Sequence, residues 1–183
     1  MNSNYYILLF LLTTLLSCTS PEARRPVKST SGTFIQQSVE RNKKLYNQEK
    51  QLFTNLMNQY PKRKYIASQN GFWYFYNQKD TLNNKFAQFG DTIVFSYNIK
   101  DLNETVILSE TDIGNQNYIV DKTHQDLISG IRDGIKLMKE GETVTFLFPS
   151  YKAFGYYGFE NKIGPNTPIT STITLKSINK KNN

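Results

Sequence analysis

Pro149-Ser-Tyr-Lys-Ala-Phe-Gly155 is the stretch on which the reading of this chain turns. It follows Glu142-Thr-Val-Thr-Phe-Leu-Phe148, a run rich in β-branched and aromatic residues that reads as a strand. It precedes a second Gly/Pro cluster, from Gly158 to Pro168. One aromatic, Phe154, stands between Ala153 and Gly155, just past a strand and a proline.

Outward from this stretch the chain alternates strands and turns. Upstream, Asp126 to Met138 has helical spacing, with Leu127, Ile131, Ile135 and Met138 on one face. Gly130 and Gly134 lie four apart on it, and each costs about 1 kcal/mol of helix propensity relative to Ala. That cost makes sense if the helix must lie close against a sheet. Gly141 then ends it in a turn. Downstream, Thr170 to Ile178 reads as a closing strand, with Ile169, Ser171, Ile173 and Leu175 on one alternating face. Nearer the N-terminus, Tyr65-Ile66, Phe72 to Tyr76, Thr92 to Ile99, Thr105 to Leu108 and Tyr118 to Val120 are strand-like, with turns at residues 101–104 and 115–117. One short helix among six or so antiparallel strands is an α+β arrangement, a curved antiparallel sheet wrapped around the helix.

The N-terminal end has a different character. Tyr5 to Leu16 is apolar but for Thr13 and Thr14. It is shorter than the roughly 20 residues of a spanning helix and reads as the h-region of a signal peptide. It runs into Leu15-Leu16-Ser17-Cys18, which resembles a bacterial lipobox; the alternative is an ordinary secretory signal with a chance cysteine. Cys18 is the only cysteine, so no internal disulfide is possible, and stability must come from a core that 12 Phe and 12 Tyr can supply. The expected organisation is a signal peptide over 1–17, a flexible Ser/Thr/Pro-rich tether over 18–33, an amphipathic helix over 34–61 and a folded domain over 65–180. Ile35, Val39, Tyr46, Phe53, Leu56 and Tyr60 form the apolar stripe of the helix, and Pro61 stops it. Packing on its own domain is the default for this stripe; pairing with another chain is the alternative.

The net charge of +7 suggests nucleic acid until it is located. Residues 18–64 hold ten Lys/Arg and three Asp/Glu, whereas residues 65–183 hold twelve of each. A neutral domain behind a basic segment argues against nucleic acid. Beside a lipid anchor, that segment is either a solvated helix face or an attraction to anionic headgroups, at about 1 kcal/mol per charge near the surface.

Ordinary catalytic groups are missing from the pattern. His124 is the sole histidine, and no Cys/His cluster for zinc, no P-loop and no dinucleotide fingerprint occurs. Asp112, Asp121 and Asp126 read as turn residues or helix caps, without the spacing of a calcium loop. Rotating an amide breaks no covalent bond and needs no acid, base, metal or cofactor. Its barrier of about 18–20 kcal/mol comes from lost resonance. A dry apolar pocket disfavours the planar, charge-separated amide more than the twisted one.

From about Phe72 to Asn179 the order of segments resembles an FKBP-type prolyl isomerase domain. The resemblance rests on Gly90-Asp91 with a strand ending in Tyr97, Leu127-Ile128-Ser129-Gly130, Gly134, Met138 and Gly141-Glu142. It continues through Pro149, Ala153-Phe154-Gly155, Ile163-Gly164-Pro165-Asn166 and the strand to Leu175. It implies an FKBP-like fold, preceded here by the N-terminal helix, and a substrate pocket. Tyr97 matches the family's pocket tyrosine, and Tyr118 stands where a phenylalanine is usual. Leu127 and Ile128 match a Val-Ile pair, the backbone N–H of Ile128 being a substrate donor. Ile163 matches an aliphatic wall.

The resemblance also marks departures. Ile107-Leu108 replaces a Phe-Asp pair, Ile131 a floor tryptophan, Phe154 a tyrosine and Ser171 a floor phenylalanine. The expected pocket is therefore Tyr97, Ile107, Leu108, Tyr118, Leu127, Ile128, Ile131, Phe154 and Ile163, apolar and poor in polar tips. Trp73 is expected to pack elsewhere. The resemblance implies a prolyl isomerase; together with the lipobox at Cys18, the expectation is an enzyme held by lipid to the cell envelope, facing the periplasm, and acting on proline-containing exported clients. The combination of lipobox, basic helical spacer and single domain further resembles gliding-motility-associated lipoproteins. The alternative is a binding module in an envelope complex that kept the fold and lost the catalysis.

Overall fold

The computed structural model describes residues 31–181, except for residue 83 and residues 124–126. The lipobox, most of the tether and the expected helix start at Asp126 lie outside the described residues. The chain divides into two compact units after Val39, and the fold below belongs to the second, Glu40–Asn183.

The elements follow in chain order: helix α1 (Ser31–Gln59), strands β1 (Ile66–Ala67), β2 (Trp73–Gln78), β3 (Thr92–Tyr97), β4 (Ile99–Lys100) and β5 (Val106–Leu108), and helix α2 (Glu110–Ile113). Then come β6 (Gln116–Ile119), helix α3 (Ser129–Ile135), β7 (Thr143–Phe148), a 3-10 turn (Ser150–Lys152) and β8 (Ile169–Asn179). All strand pairs are antiparallel, in the order β1-β2-β7-β8-β3-β6, with β4 bridging β8 and β5. The α+β class and the curved sheet around a short helix are as expected.

Alternation sorts the side chains. Val144, Phe146 and Phe148 of β7 face inward beside Ile169, Ser171, Ile173 and Leu175 of β8. With Phe72, Ile93, Phe95, Ile131, Ile135 and Met138 they form the main core. Helix α3 lies against Phe146 and Phe148. A Cβ on Gly130 would meet the Phe148 ring at 2.6 Å, and one on Gly134 would meet the Phe146 ring at 2.9 Å. The two glycines thus permit the close approach their spacing suggested.

The outer sheet face carries a second core. Phe53 and Leu56 of α1 bury themselves on Phe75 and Leu147, and Phe53 meets Trp73 at 5.4 Å between ring centroids. This part of the apolar stripe packs on its own domain, and Trp73 is a packing residue away from the expected pocket.

Several boundaries differ from the sequence reading. The helix expected over 126–138 ends at Ile135, because Leu137 and Met138 donate to Gly134 and Ile135 in tight i-to-i−3 turns (both 3.0 Å). Met138 is nevertheless fully buried. The strand expected over 92–99 breaks at Asn98, whose Oδ1 accepts the Thr172 N–H at 3.0 Å in place of a ladder carbonyl. Strand β6 starts at Gln116, inside the expected turn, because β3 pairs Phe95 with Gln116 and Val94 with Asn117. Helix α1 begins at Ser31, inside the expected tether. Helix α2 was not foreseen, although Asp112 does cap it, in a capping box with Ser109.

Asp91 locks the end of the sheet where β3 begins and β8 stops. Its carboxylate accepts from Lys180 Nζ (2.8 Å), Gln88 N (2.9 Å) and Lys181 N (3.2 Å), and the residue is 4% exposed. Burial alone would raise this carboxyl; the ammonium and the two N–H donors outweigh it and hold it below the usual carboxylate range. A depressed folded value stabilises above the unfolded value of about 3.9 and is lost as pH falls through the folded one. Asp91→Asn should therefore lower Tm by a constant amount near neutral pH, and the gap should close below about pH 4 in an acid series followed by circular dichroism. Gly130→Ala should cost roughly 1–3 kcal/mol, read as a lower urea midpoint at unchanged slope.

Candidate functional site

Five segments contribute to one contiguous cluster of the core, β6 through Tyr118 and four others. Strand β3 delivers Tyr97, stacked on Phe95 at 5.8 Å and 26° between rings. The β4–β5 pair sets Leu108 opposite Ile99, with Ile107 beside it. The approach to α3 supplies Leu127 and Ile128, and its first turn supplies Ile131. The loop after β7 brings Phe154 and Ile163. All nine expected side chains fall in one contiguous apolar cluster.

Burial splits the nine into two groups. Tyr118, Ile128, Ile131 and Ile163 are 0–9% exposed and form a floor. Tyr97, Ile107, Leu108, Leu127 and Phe154 are half-buried and form a rim. Tyr118 lies deeper than a rim ring, and its hydroxyl accepts the Asp121 N–H at 2.9 Å. That bond braces a turn in which Asp121 has φ 57°. Ser171 also faces inward, and its Oγ donates to the Asn98 carbonyl at 2.6 Å. The substitution therefore leaves a small, satisfied residue among Ile169, Ile173 and Phe146.

The loop carrying Phe154 is held by its own backbone. Gly155 N donates to Ser150 O (2.9 Å), and Asn166 N donates to Gly155 O (2.7 Å). Phe159 and Ile163 exchange both backbone bonds, at 2.9 and 3.1 Å, closing a small hairpin. Gly158 enters it at φ 67°, and a Cβ there would run into the Ile163 carbonyl. Lys152 pairs with Asp133 of α3 at 2.8 Å, and Lys136 reaches Asp133 at 3.5 Å and Asp121 at 3.2 Å. Burial by itself would lower the Lys136 ammonium, but these two carboxylates prevail and raise it. Partly exposed pairs like these contribute little stability; they fix loop, helix and turn relative to one another.

Phe159 was missed by sequence reasoning. Its ring lies 5.0 Å from Phe154 at 38°, against the same cluster. The available signal was an aromatic four residues before Ile163 inside an otherwise polar Gly-rich loop. The assembled cluster is apolar and contiguous with the main core. Among the described residues, the titratable side chains of this cluster are the hydroxyls of its tyrosines.

The family model for FKBP-type peptidyl-prolyl cis-trans isomerases matches residues 83–176. The chain belongs to this family. FK506-binding protein 2A of Rhizopus delemar is 34% identical over 70 residues, 38% of this chain and 36% of that protein. The chain thus spans about a third of the length of this curated relative. Two solved structures share the fold at 16% identity: a peptidyl-prolyl cis-trans isomerase of Pseudomonas syringae pv. tomato and FkpA of Escherichia coli. The first has a TM-score of 0.59 and covers 75% of this chain and 96% of its own. The second has a TM-score of 0.58 and covers 98% of this chain and 83% of its own.

In this FKBP-type chain the floor depends on the Phe159–Ile163 hairpin. Gly158→Ala should displace Ile163 and the Phe154–Phe159 pair, read as changed side-chain chemical shifts of these three residues by NMR. The β7–β8 core should stay intact by near-UV circular dichroism.

Proposed function

We propose that the protein is a peptidyl-prolyl cis-trans isomerase whose substrate pocket is the nine-residue apolar cluster. The observation that carries this reading is that those residues, from five separate segments, fall in one contiguous apolar cluster, four of them buried and five half-buried. A proline ring seated between Tyr97 and Phe154 would place its amide over apolar walls. There the planar, charge-separated ground state is less well solvated than the twisted transition state. Uncatalysed exchange takes tens of seconds or more, slow enough to limit folding of an exported chain.

The altered positions favour a second reading, a binding module with weak or absent catalysis. Phe154 has no hydroxyl to donate to a peptide carbonyl, and Ile107-Leu108 brings no carboxylate. One such hydrogen bond is worth about 1 kcal/mol, a severalfold loss in rate. Catalysis is the preferred reading because the apolar enclosure, which lowers the barrier, is retained.

Purified protein at micromolar concentration should accelerate cis–trans exchange of an Xaa-Pro peptide in a protease-coupled assay. Phe154→Ala combined with Tyr97→Ala should remove most of that acceleration. Folded protein without acceleration would leave the binding module standing, and acceleration surviving both substitutions would displace the site.

The setting is proposed from the N-terminal sequence: a lipid anchor on Cys18, a periplasm-facing place in a bacterial envelope and proline-containing exported clients, with no part played by nucleic acid. Service to a gliding-motility or secretion machinery is proposed on the combination of lipobox, basic helix and single domain. Cys18→Ala should move the protein from the membrane to the soluble fraction on cell fractionation.

A further inference from the structure

A second concave site lies between α1 and the Phe154 loop, in a cavity of about 440 Å³. Glu49, 2% exposed, lines it. The Glu49 carboxylate accepts the Ser150 N–H at 3.0 Å through Oε2. Its other oxygen, Oε1, is buried without a hydrogen-bond partner among the described residues. A buried carboxylate oxygen left without a donor is costly, and a charge-assisted donor is its strongest remedy.

The walls suit a cation. Tyr46 and Tyr151 lie 6.4 Å apart at 49°, and Tyr156 stands beside them at 72% exposure. Aromatic faces attract ammonium and guanidinium groups. The Tyr151 hydroxyl is committed to the Gly71 carbonyl at 2.9 Å. Burial first, then Tyr46 and Glu49, push its ionisation up, so the wall stays neutral. Asn42 and Asn166 add amide groups. Neighbouring lysines do not fill the site. Lys152 Nζ is engaged by Asp133, and Lys43 and Lys44 line a different cavity with Glu40 and Gln48.

Position ties the cavity to the pocket. Gly155 and Asn166 line it, and they are joined by the 2.7 Å hydrogen bond that closes the loop bearing Phe154. We propose that this cavity is a subsite for the cationic side chain of a Lys or Arg that flanks the proline in a client segment. The subsite rests on the reading of the cluster as an Xaa-Pro pocket, and it makes the protein selective for basic proline-containing segments.

The test is binding, measured apart from turnover. Fluorescent Xaa-Pro peptides carrying Lys, Arg or norleucine at each flanking position would be titrated against the full chain by anisotropy. At one position Lys and Arg should bind about tenfold tighter than norleucine, as expected for a desolvated charge pair. Glu49→Gln should bring that ratio to about one. Tyr156→Ala, at an exposed position that does not threaten the fold, should lower the ratio severalfold. No preference at any position, or a preference that survives both substitutions, overturns the proposal. n-Butylammonium, titrated alone, separates the sources: if it binds through Glu49 while no lysyl peptide is preferred, the cavity holds free cations and the peptide subsite falls. A lysine preference without isomerase activity would sink the proposed catalysis and keep the subsite; activity without preference would do the reverse.

Discussion

The close approach of α3 to the inner face of β7 is the constraint from which the rest follows. Gly130 and Gly134 lie directly over Phe148 and Phe146, whose rings stack at 5.4 Å and 7°. Phe72 closes on the same two rings edge-on, at 5.3 and 5.8 Å. A helix carrying side chains at those positions would stand farther from the sheet. Its depth sets the height of Ile128 and Ile131, and hence the floor of the pocket. Two residues with poor helix propensity are thus what allows a helix to sit here at all.

The floor is apolar, but its frame is polar and fully engaged. Tyr118 braces the turn at Asp121, Ser171 holds the Asn98 carbonyl, and the Lys152–Asp133 pair links loop to helix. None of these groups points a spare charge at the rim. On the proposed reading, such a site would act by shape and desolvation, which suits a reaction that moves no proton and breaks no covalent bond. The Glu49 oxygen that is buried without a partner among the described residues belongs to the neighbouring cavity.

Much of this was legible in the sequence. Period-two alternation marked the long strands, and the spacing of Leu127, Ile131 and Ile135 marked the helix. The Gly130–Gly134 pair announced a close contact before any contact was visible. Less legible was whatever depends on a partner distant in sequence. Asn98 breaks a strand because its side chain meets Thr172, and Gln116 joins a strand because β3 is already there. Phe159 enters the site through a hairpin that only the positive φ of Gly158 makes possible. Glu49 lies on a basic helix, and only its burial against the Ser150 amide sets it apart.

The sequence by itself determined the class of fold and the family. Those depend on local periodicity and on the order of short motifs, which are properties of the chain read in one direction. Tertiary structure decided which of nine candidate side chains are floor and which are rim. It also decided that Tyr118 spends its hydroxyl on a turn, and that a carboxylate on α1 is buried against the Ser150 amide. The depth of a ring and the partner of a polar atom are set by strand register and helix placement. Residues far apart in the chain fix these together, and no window of sequence contains both partners.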